Sequence, residues 1–206
     1  AMGEGTVRVH AAEAPGASMP AVEIAAVEAL AAAGIAPLEL AEKEGLALIN
    51  GTDGMLGMLC LALHDLANLV STADVAAAAS VEALTGTDAV FAADLQALRP
   101  HPGQARSAAN MLRVLEGSTL IRRPREGEFT RVQDAYSLRC APQVHGAVRD
   151  TAGYAAQVAA VELRSSIDNP VVLDDGRVES NGNFHGAPVA YVLDFLAIAV
   201  ADLASI

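Results

Sequence analysis

Gln133, Tyr136 and Arg139 stand three apart in the stretch Arg131-Val132-Gln133-Asp134-Ala135-Tyr136-Ser137-Leu138-Arg139-Cys140. In one turn of α- or 3₁₀-helix that spacing puts all three on one side. The side would offer an amide, a phenol and a guanidinium. An amide and a guanidinium suit a carboxylate, which arginine grips through two parallel hydrogen bonds. A phenol can give up or take a proton. On spacing alone, Tyr136 and Arg139 read more simply as residues that anchor a loop.

Other polar groups read less sharply. Asn50 precedes Gly51-Thr52 at a helix-to-turn junction, where asparagine commonly serves as a turn or cap residue. Phe184 lies in the glycine-containing stretch Asn181-Gly182-Asn183-Phe184-His185-Gly186, as a packing plug or as a ring offered to a ligand. His64, on an apolar helix, reads as a core residue. The histidines at 10, 64, 101, 145 and 185 include no i, i+4 pair, so no helical metal site is expected. Cys60 and Cys140 lack ligand spacing and read as reduced thiols.

The elements that must carry these groups are helical. Of the 206 residues 52% are hydrophobic but only 3% aromatic, with no Trp, and Ala and Leu dominate. This composition predicts an all-α bundle of long, mostly antiparallel helices packed through small side chains. Helices are expected over 20–33, 54–83, 94–98, 104–116, 142–164 and 187–206, with a short helical segment over 41–49. Ser71 to Asp74 marks a bend or restart inside the longest. The apolar stripe Leu56, Leu59, Leu63, Leu66 and Val70 faces the core there. Residues 171–178 read as a small β-hairpin around Asp175-Gly176. Residues 1–19 read as an extended lead-in, and 118–130 as a charged loop and candidate flap. One helical core over 1–206 is expected.

Net charge is −12, from 13 basic and 25 acidic residues, which argues against a nucleic-acid partner. His64, Asp65 and Asn68 interrupt the apolar run 55–70, so a packed helix is expected rather than a membrane span. No secretory signal is visible. The final helix is still periodic where the sequence stops, which suggests a piece of a longer polypeptide.

Five blocks in one order carry a resemblance: residues 43–52 (KEGLALINGT), 99–104 (RPHPGQ), 132–144 (VQDAYSLRCAPQV), 168–170 (DNP) and 181–186 (NGNFHG). Together they resemble the aromatic amino acid ammonia-lyases, and among them the histidine ammonia-lyases, over almost the whole chain. The resemblance implies an enzyme that eliminates ammonia from L-histidine to give urocanate. Phenylalanine or tyrosine lyases and aminomutases share most of these motifs. By the same resemblance Tyr136 is catalytic, Arg139 pairs with the substrate carboxylate, and Asn50, Gln133 and Phe184 bind substrate. His145 stands where the family pattern has another residue. The family's electrophile, 4-methylideneimidazole-5-one (MIO), forms from an Ala-Ser-Gly tripeptide that this sequence lacks; Ala17-Ser18 is followed by Met19. The 206 residues alone are therefore expected to be inactive. The resemblance further implies a cytoplasmic homotetramer whose sites draw on more than one subunit. The competing expectation is a non-catalytic helical oligomerisation core.

Overall fold

Ala, Leu and the apolar period of 3.6 do build long helices here, and prolines and glycines set their ends. The computed structural model describes residues 3–9, 21–121 and 132–206. They fall into two units, residues 1–50 and 51–206.

In the first unit, strand β1 (Thr6–Val9) pairs antiparallel with β2 (Val22–Ala25), Thr6 opposite Ala25 and Val9 opposite Val22. The sequence predicts helix from residue 20. Pro20 lies outside the described residues, and the observed helix α1 begins only at Ala26 and ends at Ala32. Val22 and Ile24 are β-branched and alternate with Glu23, a pattern that fits a pleated strand better than a first helical turn. The lead-in 1–19 thus supplies one strand of that pair. Gly34, at φ 70°, closes α1, with Ile35 N–H donating to Leu30 O at 2.9 Å. Helix α2 is one turn, Glu44–Ala47.

In the second unit, helix α3 runs unbroken over Asp53–Ala83, about 46 Å at 1.5 Å per residue. The bend expected at 71–74 is absent. Ser71 and Thr72 return their hydroxyls to the carbonyls of Ala67 and Asn68 at 2.8 and 2.9 Å, which leaves the helix continuous. A 3₁₀ turn (Ala89–Phe91) and the short α4 (Ala93–Ala97) lead to α5 (Pro102–Leu115). The one-turn α6 (Tyr136–Arg139) runs into α7 (Ala141–Glu162). Strands β3 (Val171–Val172) and β4 (Val178–Glu179) form the expected hairpin, with Gly176 at φ 82° in its turn. Helix α8 spans Ala187–Ser205. Helices α5, α7 and α8 all carry Pro in the first turn, where its missing N–H costs nothing.

Helix α7 is central and packs against α3, α5 and α8. One core joins Leu56, Leu59, Leu66 and Val70 of α3 to Val148 and Ala155 of α7 and Val189 and Val192 of α8. A second joins Ala78 and Val81 of α3 to Phe91, Met111, Leu115, Leu138 and Ala141. Where α5 meets α7 the helices touch at two glycines. A Cβ on Gly146 would overlap the Gln104 backbone, and one on Gly103 would overlap Gly146 O. Asp150 Oδ1 accepts the Gly103 N–H at 2.9 Å, an acid at the positive end of α5. Motif 99–104 is thereby a helix start fitted to a neighbour. By length and composition α3 and α8 could each cross a membrane, although His64, Asp65 and Asn68 lie within α3.

Candidate active site

Leu138 anchors α6. Its side chain is buried in the second core, at the end of α3 that carries Ala78 and Val81. That anchoring turns Tyr136 and Arg139 the other way, Tyr136 being 69% exposed. The Arg139 guanidinium lies 4.6 Å over the Tyr136 ring. Its Nε donates to Asp134 O at 3.0 Å. Gln133 sits in the bend before α6 and is exposed, so the single helical face expected for all three residues holds only for Tyr136 and Arg139.

Phe184, 36% exposed, belongs to a loop knitted by asparagines. Asn169 Oδ1 accepts from Asn181 N–H at 2.8 Å, and Asn181 Nδ2 donates to Asp168 O at 2.9 Å. Asn181 Oδ1 then takes the Asn183 N–H at 2.8 Å. The motifs 168–170 and 181–186 therefore hold each other. The loop ends at Gly186, where a Cβ would come within 2.6 Å of Met55 Sδ. A Cβ on Gly51 would come 3.0 Å from Ile167 Cδ1. Phe184 thus belongs to the start of α3, which is further fixed by Thr52 Oγ1 donating to Glu162 Oε2 at 3.0 Å.

The candidate residues of the second unit accordingly form two groups at opposite ends of α3. The Met55 and Val81 positions that mark those ends are separated by about 39 Å along the helix axis. Within one chain Phe184 does not meet Tyr136 and Arg139. Asn50 closes the other unit, its N–H bonded to Leu46 O at 2.9 Å. Most of the candidate flap lies outside the described residues.

The sequence reading missed a buried polar cluster between the groups. Asp74, fully buried on α3, accepts from His145 Nδ1 at 2.8 Å, Arg149 Nη2 at 2.6 Å and Asn110 Nδ2 at 2.7 Å. Arg149 Nε also donates to Ser107 Oγ at 3.0 Å. Burial pushes the Asp74 carboxyl up, but the hydrogen bonds from His145, Asn110 and Arg149, with the Arg149 charge, reverse this and hold it below its ordinary value. The cluster bolts α3, α5 and α7 together. Among the described residues His145 is the buried histidine; His64, expected in that role, is exposed because it falls off the Leu56–Leu59–Leu66–Val70 stripe. The available signal was Asp74 itself, four residues from both Val70 and Ala78 on a buried stripe, with His145 and Arg149 one turn apart on α7.

An amide, a phenol and a guanidinium presented on a bundle of long helices can hold an amino acid by its carboxylate and move a proton beside it. Residues 1–206 match the aromatic amino acid lyase family, and the chain belongs to that family. It is 66% identical over 206 residues to histidine ammonia-lyase of Streptomyces griseus, covering all of this chain and 38% of that protein. It is 51% identical over 180 residues to histidine ammonia-lyase of Caldanaerobacter subterraneus, covering 87% of this chain and 35% of that one. Among solved structures, tyrosine aminomutase from Streptomyces globisporus superposes with TM-score 0.83 at 36% identity, over 98% of this chain and 40% of that chain. Histidine ammonia-lyase from Trypanosoma cruzi gives 0.78 at 36% identity, over 98% and 36% respectively. The chain thus spans less than two fifths of the length of the first of these relatives.

Proposed function

We propose that these residues are the central part of a cytoplasmic, homotetrameric ammonia-lyase that converts L-histidine to urocanate and ammonia. The observation that carries this reading is the Tyr136–Arg139 pair. The phenol and guanidinium are stacked at 4.6 Å on an outward-facing turn, with the guanidinium fixed through Nε. The Nη nitrogens donate to no other described residue, so they are available to the two oxygens of a substrate carboxylate. Tyr136 Oη then stands beside the bound amino acid as a proton-transfer group. Gln133 and Asn50 would hold substrate polar groups, and Phe184 would pack against its ring.

These residues bind, orient and move protons, but none can acidify an unactivated β-hydrogen. MIO, formed from residues outside this chain, would supply that electrophilic chemistry. The donor set fits such a group: an amide at Gln133 and a phenol at Tyr136 stand with the Arg139 guanidinium, which would pair with the carboxylate of the zwitterionic substrate.

Separation of the two groups by the length of α3 supports a site assembled from several subunits. So does the exposed apolar surface of Met58, Leu61 and Leu69 on α3 and Tyr191, Phe195 and Ile198 on α8. A second reading, a tyrosine or phenylalanine lyase or aminomutase, draws on the similarity to tyrosine aminomutase. The higher identity to histidine ammonia-lyases favours histidine.

The test is a chimera in which these 206 residues replace the matching stretch of the Streptomyces griseus enzyme. L-histidine, L-tyrosine and L-phenylalanine are offered in turn. Urocanate formation, an MIO absorbance band and a tetramer by light scattering are expected. A folded tetramer with the band but no turnover of L-histidine would reject the reading. Cell fractionation of the parent protein tests its location.

A further inference from the structure

Residues 132–137 are exposed almost throughout, with Val132 82% accessible. Asp134 is the exception: it is 5% exposed and turned inward. Its Oδ2 accepts the Thr87 N–H at 2.8 Å, just beyond the end of α3. Gly86 leaves room for this approach. A Cβ there would sit 3.1 Å from Asp134 Oδ2 and 3.0 Å from Val81 Cγ1, tighter than ordinary contact. The main-chain oxygen of the same residue takes Arg139 Nε at 3.0 Å. One residue thus ties the segment to the bundle through its side chain and orients the guanidinium through its backbone.

We propose that Asp134 is a positioning residue for substrate binding, a role that rests on the lyase reading of Arg139. With Nε occupied and one guanidinium face on Tyr136, the donors left to point outward are the two Nη groups. They form the fork that a carboxylate needs. Loss of the Asp134 carboxylate releases residues 132–135 from the end of α3. The carbonyl that fixes Nε moves with them, and the fork loses its aim. Misplacement of a binding group by about 1 Å is enough for a large loss.

The experiment uses the chimeric enzyme, with Asp134→Ala, Asp134→Asn, Gly86→Ala and Arg139→Ala compared side by side. Asp134→Ala is expected to raise KM for L-histidine about 10- to 100-fold, with a smaller change in kcat. Asp134→Asn, which keeps an acceptor for Thr87 N–H, should stay within about threefold of the parent. Gly86→Ala presses on the carboxylate and on Val81 by a few tenths of an ångström and should shift KM in the same direction as Asp134→Ala, by less. A purely structural role would reduce the amount of active enzyme, lowering kcat at unchanged KM; that pattern overturns the proposal. Should Asp134→Ala not fold, Gly86→Ala decides, and an unchanged KM there rejects it. A raised KM in Arg139→Ala with an unchanged one in Asp134→Ala removes this inference alone. An unchanged KM in Arg139→Ala removes the lyase reading beneath it.

Discussion

Replacing Asp74 by Ala is expected to be among the most damaging single changes in this chain, although the residue touches no substrate. Its carboxylate is fully buried and accepts from His145, Arg149 and Asn110. Deleting it leaves the Arg149 guanidinium, itself only 11% exposed, without its counter-charge. Breaking a buried pair from one side costs about 3–5 kcal/mol, because the surviving charge stays desolvated. Against a total of about 5–15 kcal/mol, that is a large share of the stability of a domain. With a urea dependence of about 2 kcal/mol per molar, the midpoint should fall by about 1.5–2.5 M. The chain has no Trp, so unfolding is followed by helical circular dichroism. The pH dependence supplies a second check. The folded-state pKa of Asp74 is lowered, so its contribution is complete above the unfolded value of about 3.9 and is lost as pH falls through the folded value. The gap between parent and Asp74→Ala should be constant near neutrality and narrow below about pH 4. A midpoint shift under about 0.5 M at pH 7, or a gap that widens in acid, would refute the reasoning.

Gly146→Ala places a methyl group against the Gln104 backbone. Backbone cannot swing aside as a side chain can, so a loss of about 3 kcal/mol or more is expected, read as a lowered urea midpoint. Arg139→Ala in the chimera removes a charge-assisted contact worth about 1.5–3 kcal/mol, which corresponds to a KM about 10- to 150-fold higher in steady-state kinetics. Asn169→Ala deletes the acceptor of Asn181 N–H and of Ser180 Oγ. Exchange at the amides of 180–183 should then quicken about tenfold by hydrogen–deuterium mass spectrometry, with the protection of α3 and α7 unchanged.

The long helices were legible because period and punctuation agreed. Leu56, Leu59, Leu66 and Val70 mark the buried stripe of α3, and Pro102, Pro142 and Pro188 mark three helix starts. The strand at 22–25 was not, since its partner lies across residues 10–20 and pairing at that distance leaves no local trace. For the same reason the bond from Thr87 to Asp134 and the Asp74 cluster escaped the sequence reading: their members sit 36 to 75 positions apart. Hydroxyls at Ser71 and Thr72 suggested a break because their return to the helix's own carbonyls cannot be told from composition. The binding residues were named through motifs. What the motifs did not say is that 168–170 and 181–186 hydrogen-bond one another, so part of their wording serves the loop rather than a ligand.

Because one rigid helix keeps Phe184 and the Tyr136–Arg139 pair at its two extremities, injury to either extremity leaves the other untouched. If active centres form where such extremities from different copies meet, two impaired variants would repair each other. Co-expressed polypeptides carrying Phe184→Ala and Arg139→Ala would then reassort into hybrid assemblies in which some centres receive both intact contributions. Activity in the mixture would exceed that of either parent alone, a form of complementation between alleles that a self-contained centre does not permit.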